Sequence, residues 1–188
     1  ILSGRFPSSS REAARVNVRP GASLAKIAKR YGTTVEAIVR LNRLQSEIIR
    51  PGMTLKVLNQ PIEIFIKKSE YRLWVTYGGK FLFEAPCGIG VENRTPSGVF
   101  FIENRIKDPE WYRPDGRVIP PGDPENALGS RWLGFKDTPE YSGLGIHEAR
   151  NRSDVGKASS NGCIRLVKED IELLFDITPR GTKVTIYD

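Results

Sequence analysis

Apolar and polar positions change period as the chain proceeds. Residues 1–14 show no sustained pattern and carry Ser8-Ser9-Ser10, which reads as a flexible lead-in. Val16 and Val18 then alternate with polar neighbours as a short strand, and Pro20-Gly21 turns the chain. Leu24, Ile27, Ala28 and Tyr31 fall on one face of a helix that Ser23 caps and Gly32 ends. Thr33 with Glu36 reads as a capping box for a second helix, with Val35, Ile38, Val39 and Leu41 at helical spacing. Pro51-Gly52 leads into Met53, Leu55 and Val57, a second strand.

Past Asn59-Gln60-Pro61 the period is two. Ile62, Ile64 and Ile66 alternate, as do Tyr71, Leu73, Val75 and Tyr77, and Gly78-Gly79 before Phe81 and Phe83 signals a hairpin. Val99 to Ile102 and Ile164 to Leu166 are further strand candidates. Residues 168–175 read as a short helix with Ile171, Leu174 and Phe175 inward, and Val184 with Ile186 as a last strand. Lys107 to Gly129 is dense in Pro, Gly and Asp, and a loop this long predicts a lid or binding loop, with Trp111, Tyr112 and Trp132 near it. The expected division is a lead-in at 1–14, a small α+β (βααβ) unit at 15–59, and a mainly β domain at 60–188.

Composition narrows the chemistry. With 188 residues, 39% hydrophobic and 27% charged, the chain can bury a sizeable core and is neither disordered nor fibrous. Its longest apolar runs fall far short of the roughly 20 residues of a membrane helix. Because it opens at Ile1, a processed chain or a piece is expected, with any signal or anchor lying upstream. One histidine and two cysteines are too few for a structural zinc site, which needs about four such ligands; no metal or cofactor is expected. Charge is uneven: residues 1–60 hold 11 Lys or Arg against 3 Asp or Glu, and the remainder is nearly balanced. That asymmetry points to an anionic partner such as nucleic acid, an acidic membrane or a wall polymer. With only Phe6 and Tyr31 as aromatics there, nucleic acid is disfavoured.

The most informative stretch is Gly145-Ile146-His147-Glu148, followed by Ser159-Ser160-Asn161-Gly162-Cys163-Ile164-Arg165-Leu166. A thiol becomes a good nucleophile on losing its proton, and an imidazole can take that proton and later return it to a leaving amine. Backbone N–H groups around Gly162 and Cys163 could form an oxyanion hole, and Arg165 places a positive charge nearby. Cys87 reads as a buried, inert thiol; the alternative is a disulfide with Cys163.

Two resemblances sharpen this. Residues 16–58, from Val-Arg-Pro-Gly-Ala-Ser-Leu to Ile-Arg-Pro-Gly-Met-Thr-Leu, resemble a LysM module. That implies a groove for N-acetylglucosamine glycans at Pro20, Gly21, Ala22 and Ser23 and at Ile49, Pro51 and Gly52. Residues 62–188 resemble the YkuD-type L,D-transpeptidase catalytic domain, through the Gly-Ile-His run, the Ser-Asn-Gly-Cys-Ile-Arg motif, Thr95-Pro96-Ser97-Gly98 and Arg131-Trp132-Leu133-Gly134. The resemblance implies a β-sandwich or barrel-like fold with Cys163 as nucleophile, His147 as base and then acid, and Gly162 in the oxyanion site. Ser160, Asn161, Arg165 and Trp132 would shape the site or contact substrate.

Asn161 and Glu148 depart from the His and Gly that many members carry there. With a single histidine, the imidazole's orienting partner must be a backbone carbonyl, such as that of Glu148, or a carboxylate; the Glu148 carboxylate either serves as that group or is a solvated acid beside the site. The activity implied is 3→3 cross-linking of peptidoglycan stems through a thioester, with glycan strands and stem peptides as partners and carbapenems as inhibitors. The place implied is a bacterial wall or spore envelope outside the cytoplasmic membrane. Alternatives are dominant L,D-carboxypeptidase activity, a noncatalytic wall or spore-coat protein, and an NlpC/P60-type endopeptidase, whose cysteine precedes its histidine, against the order here.

Overall fold

The computed structural model describes residues 13–188, so the expected lead-in lies outside the described residues except for Ala13 and Ala14, the latter already in a strand. Strand β1 (Ala14–Asn17) pairs antiparallel with β2 (Thr54–Val57), and α1 (Leu24–Tyr31) and α2 (Val35–Asn42) lie between them in the chain. Leu24, Ile27, Ile38, Leu55 and Val57 form the core of this small unit. Ser23 caps α1 by accepting the Lys26 N–H at 3.3 Å, and Gly32 ends it in the left-handed conformation. The capping box expected at Thr33 and Glu36 is not what caps α2. Thr34 is the cap: its hydroxyl accepts the Ala37 N–H at 2.9 Å and donates to the Asp176 carbonyl, while Glu36 turns to Arg105 at 3.4 Å. A contact 142 residues away decides which threonine serves.

The larger domain comprises β3 (Ile62–Lys67), β4 (Arg72–Tyr77), β5 (Lys80–Pro86), β6 (Ile89–Gly90), β7 (Gly98–Lys107), β8 (Trp111–Tyr112), β9 (Val118–Ile119), β10 (Arg131–Phe135), β11 (Gly145–Glu148), β12 (Ala158–Ser160), β13 (Ile164–Leu166), α3 (Lys168–Ile177) and β14 (Lys183–Tyr187). Eight strands form one sheet in the order β13-β11-β10-β7-β14-β3-β4-β5. The two edges of that sheet meet, because Gly88, just past β5, exchanges backbone hydrogen bonds of 2.8 and 2.9 Å with Arg165 in β13. The sheet thus closes toward a barrel, which removes exposed edges. Alternation sends Ile64, Leu73, Val75, Ile146, Ile164, Leu166 and Val184 into a shared core, joined by Ile171, Leu174 and Phe175 of α3.

Two expectations need revision. Strand β7 runs to Lys107, well past Ile102, because its polar second half pairs with β10, a strand that the pattern of Arg131-Trp132-Leu133-Gly134-Phe135 does not announce. Residues 107–129 are not a plain loop: they carry the hairpin β8–β9 and are pinned by buried Asn126. Its amide donates to the carbonyls of Pro109 (2.8 Å) and Pro120 (3.1 Å) and accepts the Leu128 N–H at 2.9 Å.

The two domains pack on each other through α2 and α3. Arg40 Nε donates to Asp176 Oδ2 at 2.7 Å, and Ala37 and Leu58 are buried in the core of the larger domain. A partly buried, charge-assisted pair of this kind contributes about 1.5–3 kcal/mol.

Candidate active site

Strands β11 and β13 run parallel, with Ile146 beside Ile164 and His147 beside Arg165. The isoleucines point into the core, so His147, Arg165 and Cys163, the residue just before β13, belong to the opposite face. On the other flank β10 sets Trp132 opposite His147 and Gly134 opposite Gly145. The indole lies across both glycines: a Cβ on Gly134 would sit 2.5 Å from the indole Nε1, and one on Gly145 2.7 Å from its Cη2. These two glycines make the space that lets the Trp132 ring stand 5.9 Å from the imidazole.

His147 is 3% exposed, and its Nδ1 lies 2.8 Å from the Glu148 carbonyl. A carbonyl can only accept, so Nδ1 carries the proton and Nε2 keeps a lone pair. The orienting group is therefore the Glu148 backbone. The Glu148 carboxylate has another task, accepting the Ser130 N–H at 2.8 Å where the chain enters β10. Burial drives the imidazole down to about 4, against the hydrogen bonds to the Glu148 and Ala127 carbonyls, and the nearby Arg165 charge lowers it further. Burial likewise raises the Cys163 thiol, opposed by a backbone hydrogen bond at Gly145 and by Arg165. Near neutral pH the two groups stand as thiol and neutral imidazole.

The turn carrying Cys163 is tied on both sides of Gly162. Ser160 is buried; its hydroxyl donates to the Cys163 carbonyl at 2.6 Å and accepts the Gly162 N–H at 3.0 Å. Gly162 has φ +137°, and a Cβ there would meet Leu144 Cδ2 at 3.0 Å and the Arg94 carbonyl at 3.1 Å. Only glycine fits this conformation and this space. Two expected roles change accordingly. The Gly162 N–H is engaged by Ser160, so in this structure it shapes the turn in place of standing open as an oxyanion donor, and the buried Ser160 hydroxyl is taken up by the turn itself. Arg165 also braces the turn, with Nη1 at 3.0 Å from the Ser159 carbonyl and 3.6 Å from Asp154 Oδ2. Asn161 stays exposed and accepts from Arg94 Nη1 at 3.3 Å.

Sequence reasoning missed Thr95 and Lys68 as parts of this site. Thr95 is wholly buried; its hydroxyl donates to the Gly162 carbonyl and accepts the Gly90 N–H, both at 2.7 Å. Buried Lys68 donates to Asn93 Oδ1 at 2.6 Å and to the Thr95 carbonyl at 3.3 Å, holding a turn in which Glu92 and Asn93 adopt φ of 51° and 58°. Thr95 lies in a stretch that carries the family resemblance, but its role, like that of Lys68, depends on partners distant in sequence. Thr95→Val keeps the shape but orphans a buried N–H and a buried carbonyl. Denaturant unfolding is expected to show a loss of about 2–4 kcal/mol, and turnover a loss of about tenfold, with Thr95→Ser close to wild type; equal activity of the valine variant would remove Thr95 from the site.

Cys87 and Cys163 are both free thiols, so the disulfide alternative is not formed. Cys87 is fully buried and its thiol is pushed up to about 12, which makes it inert. Among the described residues no cluster of His, Cys, Asp and Glu could hold a metal ion. In the small domain the two loops expected to bind glycan lie side by side. Val18 donates to the Met53 carbonyl at 2.8 Å and Gly52 to the Val18 carbonyl at 2.9 Å, which brings Pro20–Ser23 next to Ile49–Gly52. Ser23 is also the helix cap, and Ile49 packs on the small core.

A locked histidine and a half-buried cysteine on a glycine turn, set on one face of a closing sheet, define a candidate Cys–His acyl-transfer centre in a two-domain chain. The chain belongs to the L,D-transpeptidase family: the YkuD L,D-transpeptidase catalytic domain matches residues 61–186, and a LysM domain matches residues 16–58. The putative L,D-transpeptidase YkuD of Bacillus licheniformis is 31% identical over 182 residues, covering 90% of this chain and 96% of that protein. The putative L,D-transpeptidase YqjB of Bacillus subtilis is 39% identical over 99 residues, 52% of this chain and 54% of that protein. Among solved structures, an L,D-transpeptidase from Mycobacterium smegmatis superposes with a TM-score of 0.56 at 14% identity, covering 94% of this chain and 92% of that one. The L,D-transpeptidase LdtMt1 in complex with imipenem gives 0.54 at 19% identity over 72% and 63%. These structures share the fold.

Proposed function

We propose that this chain is a wall-associated peptidoglycan L,D-transpeptidase that forms 3→3 cross-links through a Cys163 thioester. The observation that carries the reading is the hydrogen bond from His147 Nδ1 to the Glu148 carbonyl, which leaves Nε2 basic on the face that Cys163 shares. In the first step Nε2 takes the thiol proton as Sγ attacks the carbonyl of the third residue of a tetrapeptide stem. The Cys163 N–H, which has no hydrogen-bond partner among the described residues, is the donor free to meet the developing oxyanion. His147 then returns the proton to the departing D-alanine amine, leaving the thioester. An amine of a neighbouring stem, deprotonated by the same imidazole, displaces the thiol; water in its place gives L,D-carboxypeptidase activity. Trp132 walls the site beside the imidazole, and Asn161 at the exposed rim meets the stem peptide. Through its two adjacent loops the LysM domain holds the glycan strand, so chemistry takes place in the wall, outside the cytoplasmic membrane. Carbapenems acylate Cys163 in this reading, in keeping with the imipenem complex of a fold relative.

The test is mass spectrometry of products from tetrapeptide muropeptides under reducing conditions, with Cys163→Ala as the blank. A dimer lighter than two monomers by one alanine, absent from the blank, is expected. Monomers that only lose alanine would assign hydrolysis, and unchanged substrate would overturn the reading.

A further inference from the structure

A cleft of about 440 Å³ opens between β1 and α1 of the LysM domain, away from the catalytic cysteine. Arg15, Arg19, Lys26 and Arg30 line it, over a floor that includes Ile27 and Tyr31. Among the described residues no carboxylate lines the cleft and none of the four cations is in an ion pair. Lys26 donates to the Gly21 carbonyl at 3.0 Å, and the Arg30 guanidinium stands 5.9 Å from the Tyr31 ring centroid. Lys26 and Arg30, one helical turn apart, repel each other. The domain therefore holds together four like charges that a bound anion would neutralise, and this cleft accounts for much of the basic excess that marks the first third of the sequence.

The shape and chemistry narrow the anion. Arg15 and Arg19 are spread over up to about 13 Å of extended backbone, which suits a chain bearing several charges better than a single small ion. Three of the four cations are arginines, whose planar fork matches phosphate oxygens. Among the described residues Tyr31 is the one aromatic ring in the lining, and a single ring makes no stacking ladder for bases. Among the described residues none of the exposed large apolar side chains lies in the cleft, which disfavours a lipid surface.

We propose that this cleft is a second binding site of the LysM domain, for a linear polyanion whose phosphodiester groups are joined by non-aromatic spacers. Its edge at Pro20-Gly21-Ala22 is shared with the loop pair assigned to glycan, so the two ligands would lie on adjoining flanks. The wall setting of the polymer rests on the function proposed above; the cleft's charge does not.

The experiment is fluorescence anisotropy of labelled poly(glycerol phosphate) with the full chain over a range of salt, beside chitooligosaccharide binding. Binding that weakens linearly in log–log salt is expected, as counterions are released. Combined Arg15→Gln, Arg19→Gln, Lys26→Gln and Arg30→Gln should weaken it about a hundredfold while leaving chitooligosaccharide binding and thermal unfolding unchanged. A control with the same net charge, Lys107→Gln, Lys136→Gln, Arg150→Gln and Arg180→Gln, should bind as wild type. Equal loss in both variants, or no loss in the first, overturns the proposal. So does tighter binding of an oligothymidylate or of polyglutamate at matched charge, the first in favour of nucleic acid and the second of a carboxylate polymer. Retained poly(glycerol phosphate) binding without chitooligosaccharide binding would sink the glycan reading and leave this site standing.

Discussion

His147→Gln is expected to lower kcat/KM by about 10³-fold, the usual share of a positioned general acid–base, and to change how stability responds to acid. In the wild-type protein the imidazole is buried without charge. Unfolded, it takes up its proton near 6.5, and folded only near 4. Between these values the unfolded chain binds more protons, so folding stability is full above about pH 6.5 and falls as the pH drops toward 4. This group alone accounts for about 3 kcal/mol of that fall. Chemical unfolding of wild type and His147→Gln at pH 7 and pH 4 isolates the contribution: the wild type should lose about 3 kcal/mol more than the variant. The same proton sets the acid limb of wild-type kcat/KM, which should lie near pH 4. Parallel pH dependence of the two proteins would show that the ring is not buried as a neutral group.

Alkylation of Cys163 by iodoacetamide should accelerate about tenfold for each pH unit between roughly pH 6 and 9, a thousandfold span with no plateau. The reason is the protonation state of the free enzyme. Burial lifts the thiol above its ordinary range, and the imidazole, itself neutral, supplies no positive charge to hold a thiolate. Cys87 does not obscure the measurement, being fully buried with its thiol pushed up to about 12, and Cys163→Ala gives the baseline. A rate that levels off below about pH 7 would instead demonstrate a preformed thiolate–imidazolium pair. The proposed cycle then requires proton transfer to accompany attack, so solvent isotope effects belong to the acylation step.

Features set by neighbours in the chain were legible in the sequence. The helix pair of the small domain, the Gly78-Gly79 hairpin and the inward residues of α3 all follow from local period and turn chemistry. His147 and Cys163 stood out because each is rare in this composition and their flanking residues carried a family resemblance. What escaped was decided by distant partners. Thr34 caps α2 in place of Thr33 because Asp176 offers it a carbonyl, and β10 hides its strand character because Gly134 leaves room for the Trp132 ring. Gly162 was legible as a special backbone position, but the direction of its N–H was not, since that depends on how Ser160 folds back over the turn. Glu148 looked like one group with one role and is two, a carbonyl for the imidazole and a carboxylate for Ser130.

The docking of α2 on α3 has a consequence for how a polymer is worked on. Only residues 58–61 separate β2 from β3, one of them, Leu58, is buried in the larger core, and Arg40 is fastened to Asp176. A domain on a loose leash would let the thiol sweep every stem within reach of the anchor point. Here helix α2 bears on α3, which in turn packs against the strands that carry Trp132 and His147. In the function proposed above, this packing would make the enzyme a caliper: with the glycan held in the groove, the docked domains set the span from grip to thiol, and of the stems that spiral around a strand, those at that span and facing would be presented for cutting and joining.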